Sequence, residues 1–269
     1  TWVIVVQVLE KSSKLSAGED FLLGYSTERI DPGNEKWTFK NTPKIVSGIN
    51  KKSLEKISEF YKLIIDEVVE ISGTREAEMV KLIENTYRQV NIAMVNELAI
   101  LSNMLDIDIW EVVEAAKTKP FGFQSFRPGP GVGGHCIPID PKYLSFKTRQ
   151  IGQPVRFVEL AQEINNSMPN YVVARISELM NKQEILLKNS KILILGVAYK
   201  KDIGDTRESP ALDIIESFLG KSVDISYCDP HVDELTVNNI SISREENIEN
   251  LSSYDLILIH TPHSKFQEI

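Results

Sequence analysis

Several features are scarce in this sequence of 269 residues, and each scarcity excludes a class of protein. The two cysteines are too few and too far apart for a disulfide framework, which favours a reducing cytoplasm. The net charge of −8 and the pI near 5.2 argue against nucleic acid or an anionic membrane as the main partner. No apolar run approaches the ~18 residues of a membrane-spanning helix. No signal-type leader opens the sequence, so we expect a cytoplasmic protein without a membrane partner.

The most unusual stretch is the loop from Pro128 to Pro141, P-G-P-G-V-G-G-H-C-I-P-I-D-P. Its glycines and prolines prevent a regular helix or strand and leave a backbone that a ligand can approach closely. The loop contains Cys136, with the carboxylate of Asp140 four residues later, an arrangement suited to covalent catalysis. The alternative is an inert cysteine in a structural turn. The density of glycine and proline around the thiol favours function.

The same loop contains a formal G-x-G-x-x-G pattern at Gly129, Gly131 and Gly134. A dinucleotide-binding turn of this kind needs a strand before it and a helix that starts within it. No apolar strand precedes the loop, and we expect Pro138 and Pro141 to prevent a following helix. We therefore interpret the pattern as fortuitous.

Strand and helix signals alternate at the beginning of the sequence, which predicts a parallel sheet. The predicted strands are Thr1–Leu9, Phe21–Ser26 and Lys44–Ile49, and apolar residues at helical spacing predict a helix over Ser53–Val69. No glycine-rich turn occurs here, so a dinucleotide-binding sheet would lack its phosphate-binding half. Glu28 follows the second strand, at the edge where open α/β sheets place their ligands; a solvated glutamate is the alternative.

The middle of the sequence is helical. A helix is predicted over about Thr74–Asn103, and its many apolar residues are typical of a helix buried between neighbours. Lys81 and Asn85 lie one turn apart on one face of it, so they are either an oxyanion-binding pair or a solvated lysine and amide. Further helices are predicted at Asp108–Lys117 and Val155–Gln183. The resulting helical layer is a candidate subunit interface.

The last part of the sequence resumes the alternation of strand and helix. Lys191–Val197, Val223–Tyr227 and Leu256–Ile259 are predicted strands and Pro210–Leu219 a predicted helix, which indicates the first strands of a doubly wound sheet. The connection over residues 199–209 is rich in charge, and it is either a diphosphate-binding loop or a solvated surface loop. Its cations are Lys200, Lys201 and Arg207.

No metal site is expected from the remaining thiol and imidazole side chains. Cys228, His231, His260 and His263 are interpreted as structural or surface residues, because no third ligand accompanies them in the sequence.

Three segments resemble one known family: Gly129–Pro141, Glu76–Asn91 (E-A-E-M-V-K-L-I-E-N-T-Y-R-Q-V-N) and Gly196–Pro210. Together and in this order, they resemble the nucleotide-sugar dehydrogenases, which include the UDP-glucose and UDP-N-acetyl-hexosamine 6-dehydrogenases. The form G-G-H-C-I-P-I-D-P, followed by V-R-F-V-E-L-A at Val155–Ala161, is most similar to the UDP-N-acetylglucosamine 6-dehydrogenases of surface-polysaccharide pathways. The resemblance extends from about Val8 onwards.

The resemblance implies an α/β fold in three parts. Residues 1–72 would be the remnant of an NAD-binding Rossmann domain with a partial sheet. Residues 73–186 would be a central helical dimerisation domain with the cysteine loop. Residues 187–269 would be an incomplete, Rossmann-like UDP-binding domain. The resemblance further implies a UDP-sugar substrate, NAD as the cofactor, and a homodimer or higher homo-oligomer.

The reaction implied is a four-electron oxidation of the sugar's primary alcohol to a carboxylate by NAD+. Cys136 would trap the aldehyde as a thiohemiacetal that becomes a thioester. Lys81 and Asn85 would stabilise oxyanions, while Glu28 and Asp140 would handle protons and the hydrolytic water. The positions that match the family's substrate pocket are Arg29, Ile30, Phe126, Arg127 and Gly131. Tyr199 and Lys200 match positions that hold the uridine diphosphate, and Arg207 matches a cofactor contact.

The sequence departs from the family pattern near its beginning. The glycine fingerprint of the cofactor domain and its ribose-binding acid have no counterpart here. Residues 5–9, V-V-Q-V-L, stand where a family Ser-Thr pair is expected, so a proposed catalytic threonine is missing. We therefore expect this sequence to bind NAD poorly by itself. Three interpretations stay open: a dehydrogenase whose chemistry needs a further segment, a non-catalytic UDP-sugar-binding or dimerisation module, and an inactive remnant. UDP-N-acetylmannosamine and UDP-glucose stay open as alternative substrates.

Overall fold

The computed structural model describes residues 2–246, 248 and 251–268. The chain forms two compact units, Thr1–Asn85 and Thr86–Ile269. The boundary between them falls inside the longest helix, α3 (Thr74–Met104). Both units contain helices and a sheet, so the α/β class predicted from the sequence is confirmed.

The first unit begins with helix rather than strand. Trp2–Val6 forms a π-helical segment, and α1 (Gln7–Ser13) follows it and ends at Lys14 in the left-handed conformation, with φ 61°. The strand predicted for Thr1–Leu9 is therefore wrong over its described residues, and Thr1 itself lies outside them. A short apolar run does not distinguish a buried strand from a helix, because both bury consecutive apolar side chains.

Three strands form the sheet of the first unit: β1 (Gly24–Ser26), β2 (Lys44–Gly48) and β3 (Val68–Glu70), in the order β1-β2-β3. β3, whose first two residues were predicted to be helical, runs parallel to β2, but β1 is antiparallel to β2, so the prediction of a parallel sheet was wrong. A parallel pair needs a long crossover, usually a helix. The described chain between β1 and β2 contains only turns and irregular backbone, so no such crossover joins these strands.

Helix α2 (Lys51–Lys62) follows the central strand. Its amino-terminal cap is Asn50, whose side-chain oxygen accepts a hydrogen bond of 2.9 Å from the backbone N–H of Ser53. The helix ends earlier than the apolar spacing over Ser53–Val69 predicts. The β-branched residues at the end of that stretch form β3 instead, where such side chains pack well.

The second unit contains the carboxyl-terminal part of α3 and three further helices before its sheet: α4 (Ile109–Lys117), α5 (Asp140–Gln150) and α6 (Arg156–Lys182). Asp108 caps α4 by accepting a 2.8 Å hydrogen bond from a backbone N–H of its first turn. Helix α6 continues through Pro169 without ending there. The predicted helices of this region are therefore present.

Helix α5 contradicts the expectation that Pro138 and Pro141 prevent a helix after the glycine loop. Pro141 occupies one of the first positions of α5, where the backbone N–H has no intrahelical partner and the fixed φ of proline suits the helix. No strand leads directly into the loop, because residues 118–129 form turns and irregular backbone. The G-x-G-x-x-G pattern is thus excluded as a dinucleotide-binding turn by the missing strand alone.

The carboxyl-terminal part of α3 is more exposed than its apolar composition predicts. Met94, Leu98 and Leu101 are 49%, 43% and 48% exposed, because no described element of the second unit covers this face. Within the described part of the second unit, this face of α3 is therefore uncovered, contrary to the prediction of a helix buried between neighbours.

None of the described helices combines the length and the apolar character needed to cross a lipid bilayer.

Four parallel strands form the main sheet of the second unit: β4 (Lys191–Leu195), β5 (Asp224–Cys228), β8 (Ser243–Arg244) and β9 (Leu256–Ile259). Their order in the sheet is β8-β5-β4-β9. The predicted strands β4, β5 and β9 and the predicted helix α7 (Pro210–Leu219) are confirmed to within a residue or two, whereas β8 was not predicted.

Apolar side chains cover both faces of this sheet. On one face, Ile194 packs in a cluster with Phe218 of α7 and Ile176 of α6, all of them buried. On the other face, Leu193 packs in a cluster that includes Tyr254. A strand that is buried on both faces needs apolar residues at every position, which is why β4 is so clear in the sequence.

A small hairpin was missed by the sequence analysis. It consists of β6 (Thr236–Val237) and β7 (Ile240–Ser241), joined by Asn238 and Asn239 at φ 50° and 63°. Two consecutive residues at positive φ are the signature of a type I′ turn, which asparagine tolerates better than most residues. The pair of asparagines was therefore a usable signal.

Candidate functional site

The glycine loop has the irregular backbone that the sequence predicts, with Gly131 and Gly134 at φ 138° and 91°. Its glycines are required by close approach as well as by conformation. A Cβ atom at Gly133 would lie 2.6 Å from the Cβ of Tyr199, and one at Gly134 would lie 2.9 Å from the ring of the same tyrosine. The loop therefore packs its bare backbone directly against Tyr199.

Cys136 lies at the end of this loop, immediately before α5. Its thiol is free and half-buried. Its backbone carbonyl accepts hydrogen bonds from the N–H groups of Ile139 (3.1 Å) and Asp140 (2.8 Å), so the cysteine forms the first turn that leads into the helix. Because α5 begins at Asp140, the carboxylate predicted to work with the thiol stands at the helix start, one turn from it.

The charged loop after β4 contacts the glycine loop. The backbone N–H of Gly134 donates a hydrogen bond of 3.1 Å to the carbonyl of Arg207, and the N–H of Tyr199 donates one of 3.0 Å to the carbonyl of Asp205, which closes the charged loop on itself. The structure thus brings Cys136 together with Tyr199 and Arg207. Lys200, the next residue of the charged loop, is half-buried.

The Arg207 side chain is exposed but paired. Its guanidinium Nε donates to both carboxylate oxygens of Asp205 at 3.0 and 3.1 Å. These hydrogen bonds raise the pKa of Arg207 and lower the pKa of Asp205. Asp205 occupies one edge of the Arg207 guanidinium, through Nε and Nη2. The other N–H groups of the guanidinium stay available to an anionic ligand.

A buried aspartate that the sequence analysis missed holds the charged loop at the carboxyl edge of the sheet. The Asp229 carboxylate accepts hydrogen bonds from the backbone N–H groups of Val197 (2.7 Å), Ala198 (3.2 Å) and His231 (2.8 Å). Its Oδ2 also lies 3.1 Å from Nε2 of the fully buried His263. The N–H donors after β4 and the carboxylate after β5 therefore fix the start of the charged loop.

The interpretation of the histidines needs one correction, because a third candidate ligand does accompany His231 and His263. Asp202 Oδ1 lies 4.0 Å from His231 Nε2 and 3.8 Å from His263 Nδ1. However, His263 Nδ1 already accepts the N–H of Asp202 at 2.9 Å, and the Asp202 carboxylate already accepts two hydrogen bonds from Ser264. The single lone pair of the neutral His263 imidazole is thus used by the N–H of Asp202, so in this arrangement His263 has none left for a metal ion.

In the first unit, the carboxylate of Glu28 is engaged on both oxygens. Oε1 accepts the backbone N–H groups of Arg29 and Ile30, each at 2.8 Å, and Oε2 accepts Lys44 Nζ at 2.9 Å. Burial by itself would raise the pKa of Glu28, but these hydrogen bonds outweigh it and hold the pKa below its usual value. Lys44, which the sequence analysis did not single out, is buried at the start of β2 and is therefore the main electrostatic partner of Glu28.

Arg29 also has partners within the first unit. Its guanidinium pairs with the carboxylate of Glu84 on α3 and donates a 2.9 Å hydrogen bond to the carbonyl of Pro43. Ile30, predicted to line the substrate pocket, is exposed. Lys81 and Asn85 lie one turn apart on α3 as predicted, and both are half-buried.

The two remaining predicted pocket residues lie just before the glycine loop and face the helical layer. The Phe126 ring packs edge-to-face on Tyr87, with ring centroids 5.9 Å apart. The exposed Arg127 pairs with Glu114 of α4 at 2.7 Å.

A cavity of about 180 Å³ lies beside the glycine loop, bounded by Gly131, Pro138 and Asn165. Its lining also includes the acidic residues Glu208 and Asp213, and no lysine or arginine is among its described lining residues. Burial raises the pKa of Asp213, as do the nearby acids. A diphosphate carries negative charge, so this acidic cavity does not suit it, and Cys136 is not part of its lining.

Comparison with known proteins agrees with this geometry. Residues 75–167 match the central domain of the UDP-glucose/GDP-mannose dehydrogenase family, and residues 193–269 match the UDP binding domain of the same family. Among curated proteins, the UDP-N-acetyl-D-glucosamine 6-dehydrogenase of Salmonella typhi is 37% identical over 269 residues, covering 98% of this chain and 62% of the relative. The UDP-N-acetyl-D-mannosamine dehydrogenase of Methanococcus maripaludis strain C7 is 36% identical over 249 residues, covering 92% of this chain and 55% of the relative.

A solved structure of a UDP-D-ManNAc dehydrogenase from Pyrococcus horikoshii superimposes with a TM-score of 0.85 at 30% identity, covering 98% of this chain and 60% of that one. The chain therefore spans about 60% of the length of the relatives that it matches.

Proposed function

Because the chain belongs to the UDP-glucose/GDP-mannose dehydrogenase family, we propose that it contains the nucleophile and the nucleotide-binding loop of a UDP-sugar 6-dehydrogenase. The substrate we propose is a UDP-N-acetyl-hexosamine, UDP-N-acetylglucosamine first, whose primary alcohol is oxidised by four electrons to the carboxylate for surface-polysaccharide synthesis. The observation that supports this most directly is the hydrogen bond between Gly134 and Arg207, because it joins the loop of Cys136 to the charged loop.

Cys136 is proposed as the nucleophile. Its thiolate sulfur adds to the carbonyl carbon of the sugar aldehyde, a C–S bond forms, and the carbonyl electron pair moves to oxygen, which becomes an oxyanion. We assign to Lys81 and Asn85 the role that the family resemblance implies, stabilisation of that negative charge by a cation and an amide N–H. The half-buried thiol is accessible enough for such an addition.

Release of the acid is proposed to use the two predicted carboxylates. Water attacks the carbonyl carbon of the thioester, the C–S bond breaks, and the thiolate of Cys136 leaves, so the sugar is released as a carboxylate. Asp140, at the start of α5, and Glu28 accept the protons that the water gives up.

Recognition of the UDP group is assigned to Tyr199 and Lys200. A lysine provides a compact positive charge for phosphate oxygens, and the tyrosine provides an aromatic face and a hydroxyl. The residues proposed to line the sugar pocket are those that the resemblance implies: Arg29, Ile30, Phe126, Arg127 and Gly131.

NAD is the proposed acceptor by family, but the described residues do not fit its pyrophosphate. The sheet of the first unit has an antiparallel edge strand, and no glycine-rich turn joins a strand to a helix there. Arg207 is the one cofactor contact that we propose within this chain. We therefore assign no described residue to the hydride transfer itself.

The setting of the enzyme is part of the proposal. We place it in the cytoplasm, where a catalytic thiol stays reduced. We propose division into domains at 1–72, 73–186 and 187–269, and assembly into a homodimer or a higher homo-oligomer. The exposed apolar residues of α3 support assembly, because burying them against another subunit is favourable.

The test separates capture of the aldehyde from hydride transfer. The 6-aldehyde of UDP-N-acetylglucosamine is added to the chain, and capture is read as protection of the Cys136 thiol against alkylation by iodoacetamide, followed by mass spectrometry of the cysteine peptides. We expect the aldehyde to protect Cys136 far more than UDP-N-acetylglucosamine itself does, with the same protection in the matched control Cys228→Ser. The 6-aldehydes of UDP-N-acetylmannosamine and UDP-glucose compare the alternative substrates.

Failure of capture would overturn the proposal. UDP-sugar binding by calorimetry without this extra protection by the aldehyde would favour the non-catalytic binding module, and neither binding nor protection would favour the inactive remnant. NAD+ reduction with UDP-N-acetylglucosamine, followed at the nicotinamide absorbance, tests in parallel whether this chain assembles a cofactor site.

A further inference from the structure

Two buried asparagines lie between helices α3 and α6, in the second unit. Asn96 is fully buried and Asn165 is 4% exposed. Neither was singled out by its sequence context, since asparagine in a helix is ordinarily solvated. A buried amide group costs free energy unless its donors and acceptor find partners, so the partners of these two side chains indicate why they are there.

The partners form a chain of hydrogen bonds that ends at the glycine loop. Asn165 Nδ2 donates to the backbone carbonyl of Gln89 at 3.2 Å, and Asn96 Nδ2 donates to Asn165 Oδ1 at 2.9 Å. The backbone N–H of Gly129 then donates to Asn96 Oδ1 at 2.8 Å. Asn165 fixes the orientation of the Asn96 amide. Because Asn165 Oδ1 accepts a hydrogen bond from the NH₂ group of Asn96, the Asn96 oxygen is left to accept the N–H of Gly129.

Two residues after Gly129, the glycine loop also packs against helix α6. A Cβ atom at Gly131 would lie 3.3 Å from the backbone carbonyl of Asn165. The loop thus has one anchor on the helical layer, at Gly129, and a second on the charged loop, where Gly134 donates to Arg207. Cys136 follows the second anchor by two residues, so its position depends on a segment held at both ends.

We propose that Asn96 and Asn165 are positioning residues for Cys136, acting through the backbone of Gly129. This inference rests on the proposed role of Cys136, but it concerns the position of the thiol and not the reaction. Asn96 supplies the anchoring acceptor, and Asn165 orients it. Neither side chain contacts the thiol.

The experiment measures the alkylation rate of Cys136 by iodoacetamide, with both thiols followed by mass spectrometry of their peptides. Without its anchor, the loop should open more often, and the half-buried thiol should react faster in Asn96→Ala. We expect a rise of about fivefold, the factor that corresponds to one hydrogen bond of ordinary net strength, ~1 kcal/mol. Asn165→Ala should give a smaller rise, because Asn96 keeps its oxygen but loses its orientation.

Cys228 serves as an internal control in every sample. It is buried in β5 of the same unit, and burial, with the charge of Asp229, raises the pKa of its thiol. A general loosening of the second unit would speed alkylation of both cysteines, whereas release of the loop changes Cys136 alone. Ser102→Ala is the matched control variant, since it removes a buried hydroxyl from α3 about 9 Å further along the helix.

The double variant Asn96→Ala/Asn165→Ala sharpens the assignment. If Asn165 acts only through Asn96, the double variant alkylates Cys136 no faster than Asn96→Ala. The proposal is overturned if neither single variant changes the Cys136 rate, or if both cysteines accelerate together. Because no sugar or cofactor is present, a wild-type chain that fails to capture the aldehyde would refute the proposed function while leaving this result intact.

Discussion

The two sheets of this protein are held by different kinds of contact. In the second unit, β4 and β5 are buried along all but their first residue, and apolar side chains pack on both faces. In the first unit only β2 is buried throughout, while β1 is half-buried and β3 is largely exposed. The first sheet compensates with polar contacts that involve charged side chains.

Those polar contacts include residues that the sequence assigns to the active site. Lys44 Nζ bonds Glu28 and lies over the rings of Phe39 and Tyr61, 5.4 and 5.6 Å from their centroids. Arg29 pairs with Glu84. In the second unit the buried polar groups hold loops instead, Asp229 the charged loop and Asn96 the glycine loop. Functional candidates therefore help to hold the first unit together, whereas the second unit has an independent apolar core.

The largest expected effect tests that apolar core. Phe218→Ala removes a fully buried ring from α7 and should lower the free energy of unfolding by about 3–5 kcal/mol, because the lost apolar contacts leave a cavity. The matched control is Phe60→Ala on α2, where the ring is 58% exposed and the cost should stay within about 0.5 kcal/mol. Urea unfolding followed by circular dichroism measures both. Equal losses would contradict the comparison.

The same comparison explains which parts of the fold could be predicted. β4 was clear because a strand buried on both faces is apolar at every position. The largely apolar run over residues 2–9 looks similar but forms helix, since composition does not reveal whether a strand partner is available. Pro141 was misjudged because the same ring that breaks a helix interior is favoured in its first turn.

The candidate site was predictable only in its local parts. The glycine loop with Cys136 and the charged loop were each visible as segments. The bond that joins them, from Gly134 to Arg207, links residues far apart in sequence, so no local pattern encodes it. The same holds for Asn96 and Asp229, whose types are common on surfaces and whose burial depends on tertiary packing.

Acid should weaken the second unit through His260. Burial lowers the pKa of this imidazole to about 4, partly opposed by the Gly196 backbone and the Asp229 charge. An unfolded histidine titrates near 6.5. Between these values the unfolded chain binds a proton that the folded chain does not, so the free energy of unfolding should fall by about 3 kcal/mol in total as the pH drops from 6.5 to 4.

The contribution of His260 is measured by urea unfolding of the wild type and of His260→Gln at several pH values, which gives the free energy of unfolding at each pH. The variant should show a shallower slope between pH 6.5 and 4, and above pH 6.5 the wild-type stability should no longer depend on this group. Identical slopes would show that His260 is charged or exposed in the folded protein.

A smaller effect is expected for the buried cation of the first unit. Lys44→Met keeps the apolar stem but removes the charge, and loss of the two cation–π contacts should cost about 1–2 kcal/mol. It should also raise the pKa of Glu28, which NMR titration measures directly. Since the folded-state pKa of Glu28 is lowered, its contribution is present above pH 4.5 and is lost as the pH falls through the folded value. The variant should show less of that loss, because only the backbone hydrogen bonds from Arg29 and Ile30 would still lower the pKa of Glu28.

Lys40→Met is the control for this substitution, because Lys40 is largely exposed and its distance to Asp66 is 3.9 Å. It should leave both the stability and the pKa of Glu28 unchanged. If Lys44→Met were equally silent, the first sheet would not depend on its cation, and the contrast between the two units would fail.

The smallest effect on the free energy of unfolding is expected for Arg127→Gln. Because this variant should stay as stable as the wild type, a loss of ligand binding would report on the site itself. Arg127 and Arg149 have side chains 68% and 67% exposed, and each is paired at 2.7 Å with a glutamate, Glu114 and Glu159 respectively. Exposed pairs of this kind contribute little, so Arg127→Gln and Arg149→Gln should each change the free energy of unfolding by less than about 1 kcal/mol. Only Arg127 is predicted to line the substrate pocket. Calorimetry with UDP-N-acetylglucosamine should therefore show weaker binding in Arg127→Gln alone, and equal affinities in the two variants would remove Arg127 from the proposed site.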